Sequence, residues 1–145
     1  MSAKWYLPLI ITLVGSATTI SALAAPIPTE SVELWNKPDG TQGMTLSAEQ
    51  IKAGQTTITA TNTSTNEDHE LVIVKTDLDP MQFPRTSDQS KVDEGKLKGL
   101  REVGDLSPGQ SRSKTFKLAP GRYVLFCNEM GHFNAGMYKV LTVVE

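Results

Sequence analysis

Several short stretches of the chain alternate polar and apolar side chains with a period of two, as strands with one buried face do. Residues 31–35 alternate around Val32 and Leu34 and run into the turn formers Pro38, Asp39 and Gly40. Residues 55–61 are rich in β-branched side chains and place Thr56, Ile58 and Ala60 on one face. Residues 69–74 form an almost unbroken apolar strand, and residues 113–118 alternate again. Pro120 and Gly121 turn into a strand over 122–127, and residues 138–144 make another. A further tight turn is marked by Ser107, Pro108 and Gly109. At least six strands separated by turns predict an all-β sandwich. Leu71, Ile73, Val124, Phe126, Leu141 and Val143 are its expected core, each contributing about 1.5–3 kcal/mol on burial.

Two segments lack this period. Residues 46–53, with Ser47, Glu49 and Lys52, predict a short helical turn. Residues 77–104 are polar, carry Pro80 and Pro84 and mix both charges. They read as a long solvated connection with a short helix near 91–100.

The N-terminus has a different pattern. Lys4 precedes an apolar run of about ten residues, where a membrane span needs about twenty. Small residues then lead to Ala22, Leu23, Ala24 and Ala25. This order predicts a signal peptide over 1–25, cleaved before Ala25 or Pro26, and a mature domain over 26–145. The expected compartment is the periplasm, with no membrane attachment after cleavage. An oxidising compartment makes a lone exposed thiol a liability, so Cys127 is expected to be buried or held by a metal.

Composition narrows the chemistry. One Cys and two His in 145 residues exclude an internal disulfide, a four-cysteine zinc site and an iron–sulfur centre. They also exclude a multi-copper cluster. A net charge of −2 without a basic run gives no footprint for nucleic acid. What remains is concentrated in one loop: Cys127, His132 and Met137 follow one another at intervals of five residues. The loop joins two predicted strands, and His69 opens a third. Thiolate is a soft donor that favours Cu(I), imidazole suits both oxidation states, and thioether serves as a weak axial donor. Two imidazoles and a thiolate in a plane, with a distant Met, make the blue-copper arrangement. Zinc competes for Cys and His, but its sites do not draw on Met.

With these residues the chain resembles the cupredoxins, the small blue copper proteins of the plastocyanin and azurin type, from about residue 32 to 144. The resemblance is carried by Asn62, by residues 69–74, by residues 118–123, and by the loop through Cys127, His132 and Met137. Its loop spacing is closer to azurin-like and rusticyanin-like members than to plastocyanin-like ones. The resemblance implies a Greek-key β-sandwich holding one type 1 copper. His69, Cys127 and His132 would be the strong ligands and Met137 the axial one. Two positions depart from the family pattern. Glu70 stands where many members have an Asn that ties the ligand segments together, and Met130 adds a second thioether to the loop.

Other residues receive plainer expectations. Met130 is read as packing or solvent-facing, Asn62 as a strand-end residue, and Tyr123 as a fastener of the sandwich. The triplet Asn62-Thr63-Ser64 matches a glycosylation acceptor, a match too short to carry weight. Glu67, Asp68, Glu70 and Glu129 flank the ligands, more simply as solvated charge than as an acidic rim steering a basic partner. Phe133, Asn134 and Ala135 suggest a neutral docking patch beside His132. The leading functional expectation is a monomeric, non-enzymatic electron carrier that shuttles between redox partner proteins. A copper carrier or buffer uses the same ligands, and a nucleophilic Cys127–His132 pair is the enzymatic alternative.

Overall fold

Among the described residues, alternation is realised as nine strands in two mixed sheets. The structure, a computed structural model, describes residues 1–2 and 25–145. The expected signal peptide and its leading apolar run lie outside these residues. The strands are β1 (Thr29–Asn36), β2 (Gln42–Leu46), β3 (Gln50–Lys52), β4 (Gly54–Asn62), β5 (His69–Lys75), β6 (Arg101–Leu106), β7 (Ser111–Leu118), β8 (Gly121–Phe126) and β9 (Tyr138–Val144). One sheet has the order β2-β1-β4-β7 and the other β3-β9-β8-β5-β6. β1 runs parallel to β4 and β3 parallel to β9; the other neighbours are antiparallel. The chain crosses repeatedly from sheet to sheet, which sets the strands as an all-β sandwich. Among the described residues no helix is long and apolar enough to cross a membrane.

Three strands depart from expectation. β2 was not anticipated, and the helical turn expected over 46–53 is instead the end of β2 and the short β3. Three residues cannot display a period, and β3 exists through its pairing with β9. β6 lies inside the segment read as a connection. Its inward residues Val103 and Leu106 are three apart rather than two. The cause is a register shift in its pairing with β5, between Leu71 and Val72, with Gly104 at φ +115°. An extra residue accommodated in this way breaks the alternation. The helix expected near 91–100 is only the 3-10 turn Glu94–Lys96, preceded by another at Pro80–Gln82.

The six expected core residues are all buried, but in two cores rather than one. Leu71, Ile73, Leu141 and Val143 pack between the sheets with Val32, Leu34, Ile58 and Leu106. Val124 and Phe126 face the other side of the five-stranded sheet, where they meet Val72, Val74, Phe83, Val92 and Phe133. Residues 77–100 cover that side, which explains why β5 and β8 are apolar on both faces. β7, by contrast, is an edge strand with most side chains exposed. It is joined to β4 by a ladder of hydroxyls, Thr57 to Thr115, Thr59 to Ser113 and Thr61 to Ser111, each at 2.8–2.9 Å. At the end of the sandwich where β7 turns into β8, Tyr123 donates its hydroxyl to the Ala119 carbonyl (2.9 Å) and accepts from the Ala119 N–H (3.1 Å).

Candidate metal centre

The two central strands of the larger sheet bring the first two donors together. His69 opens β5 and Cys127 directly follows β8, its neighbour in the sheet. The loop of residues 127–137 then returns to β9. Cys127 N–H donates to the Met137 carbonyl (3.0 Å) and Met137 N–H to the His132 carbonyl (3.1 Å). Gly131 at φ +83° and Gly136 at φ +89° make the turns that residues with a Cβ adopt only with strain.

Folding so places three donor atoms in a triangle. Cys127 Sγ lies 3.7 Å from His69 Nδ1 and 3.5 Å from His132 Nδ1, and the two nitrogens are 3.2 Å apart. All three residues are buried. The point equidistant from the three atoms is about 2 Å from each. Zinc, a first-row divalent ion, sits about 2.0–2.1 Å from imidazole nitrogen and about 2.3 Å from thiolate, so the triangle has the size that holds an ion of this kind.

Burial controls the protons. It lowers the His69 imidazole to about 4, the neighbouring His132 adding to the effect and Asp68 opposing it. It pushes the Cys127 thiol up to about 11, against the Glu70 N–H that donates to Sγ at 3.3 Å. Both groups are therefore neutral at pH 7 when no cation is present. Cys127 and Met137 are wholly buried in the inter-sheet core, while Met130 is exposed.

The flanking residues are placed less uniformly than the sequence suggests. Glu67 Oε2 lies 3.5 Å from His132 Nε2, and Glu129 Oε2 lies 3.6 Å from Lys91 Nζ. Glu70 is partly buried, and burial raises its carboxyl to about 7, with Glu94, Asp105, Glu102 and Glu129 adding to the shift. Asp68 alone of the four is exposed without an ion pair among the described residues. The expected neutral patch is also altered. Phe133 is 1% exposed and belongs to the outer core, which leaves Asn134 and Ala135 at the surface.

Position 70 touches the Cys127 loop by its main chain. Asn128, which the sequence reading passed over, grips residues 77–100. Its Oδ1 accepts the Val92 N–H (2.8 Å) and its Nδ2 donates to the Val92 carbonyl (3.2 Å). The same segment supplies the Ser90 carbonyl to Gly131 N–H (2.9 Å) and the Gln89 carbonyl to Asn134 Nδ2 (2.8 Å). Arg85 lies over the Phe133 ring at 4.2 Å. Adjacency of Asn128 to the lone Cys was the one available signal, because its partner is 36 residues away in a stretch without periodicity.

Comparison with known proteins now decides between metals. The family of copper binding proteins of the plastocyanin/azurin type matches residues 33–144. The chain belongs to that family. Copper is thus its cofactor, and His69, Cys127 and His132 form a single metal site. No curated protein matches the sequence. Among solved structures, the chain is similar to dithionite-reduced auracyanin from Roseiflexus castenholzii, at 25% identity and a TM-score of 0.53, over 84% of this chain and 100% of that one. Auracyanin B is 23% identical, with a TM-score of 0.57 over 85% of this chain and 94% of that one. Rusticyanin from Thiobacillus ferrooxidans is 17% identical, with a TM-score of 0.52 over 80% of this chain and 77% of that one. The last two likenesses concern the fold.

Proposed function

We propose that this cupredoxin is an exported, periplasmic one-electron carrier with a type 1 copper site. The observation that carries the reading is the buried triangle of two nitrogens and one sulfur, already spaced for the ion. Copper bound there supplies a one-electron couple between Cu(II) and Cu(I). His69, Cys127 and His132 would hold the ion, and the buried Met137 would serve as its weak thioether donor. Main-chain bonds from Glu70 and Met137 hold Cys127, so its sulfur need not move when the charge at the centre changes. Little reorganisation favours fast transfer. The redox chemistry implied by dithionite reduction of auracyanin is consistent with this role.

In this reading the protein works as a monomer, and its partners are donor and acceptor proteins that dock near His132, Asn134 and Ala135. A hydrolytic use of Cys127 with His132 has less support. An activated nucleophile has a lowered pKa and access to substrate; this thiol is raised and wholly buried. A copper carrier would need the same ligands to release the ion readily. Repeated reduction and reoxidation in the presence of a copper chelator separates the roles. An electron carrier retains its copper through many cycles; transfer of copper to the chelator within the first cycles overturns the reading in favour of a carrier.

A further inference from the structure

The last residue of β4, Asn62, and the segment that leads to β5, with Ser64 and Glu67, contribute no atom to the triangle. Asn62 is wholly buried, which closes it to glycosylation. Its Nδ2 donates to the main-chain carbonyls of Glu67 and Leu106, both at 2.8 Å. Its Oδ1 accepts the Ser64 N–H at 2.9 Å. The buried Ser64 hydroxyl lies between Asn62 Oδ1 and the Glu67 carbonyl, at 2.5 and 2.6 Å. Two side chains thus hold the main chain of Glu67, and its carboxylate reaches to 3.5 Å from His132 Nε2. That distance exceeds a settled hydrogen bond by a few tenths of an ångström. The Glu67 side chain is 43% exposed and free to close the gap.

A carboxylate only accepts, so the contact requires a proton on His132 Nε2. A neutral imidazole protonated there has a bare Nδ1, and Nδ1 is the atom aimed into the triangle. His69 offers a contrast within the same site, since its buried Nε2 has no partner among the described residues. A carboxylate on the outer nitrogen of a metal-bound imidazole orients the ring and makes it a stronger donor. We propose that Glu67 is a positioning residue for the copper site: it fixes the tautomer and orientation of His132 and strengthens His132 as a ligand. Asn62 and Ser64 place Glu67 for that purpose. The inference rests on copper being held in the triangle.

Glu67→Gln and Glu67→Ala test it, because the first keeps shape and an acceptor oxygen while the second removes both. The half-exposed position leaves thermal unfolding of the copper-free variants close to wild type. In copper-free wild type, nitrogen chemical shifts of His132 should report the Nε2–H tautomer, and Glu67→Ala should give a mixture. In the copper-loaded proteins a weaker imidazole donor favours Cu(I). The reduction potential should therefore rise in Glu67→Gln and rise further in Glu67→Ala. Affinity for Cu(II) should fall about tenfold or more in Glu67→Ala. Unchanged tautomer, potential and affinity in variants of a copper-loading protein overturn the role of Glu67. A wild type that takes up no copper overturns the metal reading beneath it, and the copper-free tautomer then still decides whether Glu67 governs His132.

Discussion

His69 and Cys127 stand at the ends of paired strands, whereas His132 and Met137 belong to a loop. On the strand side, β5 and β8 are interior strands, and the core residues beside the donors are Leu71 to Val74 on β5 and Tyr123 to Phe126 on β8. The position of His69 is therefore set by the same contacts that hold the sandwich together. On the loop side, single contacts act one at a time: Asn128 on Val92, Ser90 on Gly131, Gln89 on Asn134, Arg85 on Phe133 and Glu67 on His132. The positions of His69, Cys127 and the core-buried Met137 thus cannot be disturbed without disturbing the fold, while the surroundings of His132 can be altered piece by piece.

That contrast breaks in a definite order of effect. Leu71→Ala opens a cavity in the wholly buried inter-sheet core, two residues beyond His69. It should cost about 2–5 kcal/mol of global stability, measured by denaturant unfolding. The fraction that remains folded should keep an unaltered copper spectrum, because His69 and Cys127 keep their places only with the sheet and the contacts that hold His132 lie elsewhere. Asn128→Ala reverses the emphasis. It leaves the buried Val92 N–H and carbonyl without their partner, at a cost of about 1–3 kcal/mol. The expected loss is local: faster amide exchange at Val92 and Gly131 and a shifted copper spectrum, with core amides of β5 and β8 still protected. Uniform loss of protection in both variants would erase the distinction between the two sides.

The smallest effect concerns pH. Asp88 Oδ1 accepts from the Thr86 hydroxyl, the Ser90 N–H and the Ser90 hydroxyl. These bonds, the Thr86 hydroxyl foremost, lower its carboxyl from 3.8 to about 2. A folded pKa below the unfolded one contributes stability at higher pH, and that stability is lost as pH falls from 3.8 toward 2. Protection at Ser90 and at Gly131, which bonds to the Ser90 carbonyl, should therefore fall across that window. In Asp88→Ala both amides should be weakly protected throughout, and the pH dependence should vanish.

What the sequence could disclose follows the same division. The strands bearing His69 and Cys127 were legible because several consecutive side chains repeat one instruction, apolar toward a core. Buried faces on both sides made β5 and β8 legible even without alternation. The triangle was legible because the chain has one Cys and two His, and ligand chemistry singles out that set. β6 was hidden because the bulge at Gly104 shifts the phase of its inward residues. β3 was hidden because a three-residue strand is defined by its partner rather than by itself. Asn128 and the holding of Glu67 by Asn62 and Ser64 were hidden for a related reason. Each is a hydrogen bond between irregular segments, and hydrogen bonds of that kind leave no period. Glu67 could be named as a flanking acid, but only the folded loop aims it at His132.

The central claim is that Cys127 sulfur and two imidazole nitrogens hold one copper ion. The visible spectrum of the copper-free protein during addition of Cu(II) tests it most directly. An intense thiolate-to-copper band that saturates at equimolar metal and disappears in Cys127→Ser is the expected result. A colourless complex, or a band that survives Cys127→Ser, would contradict the account.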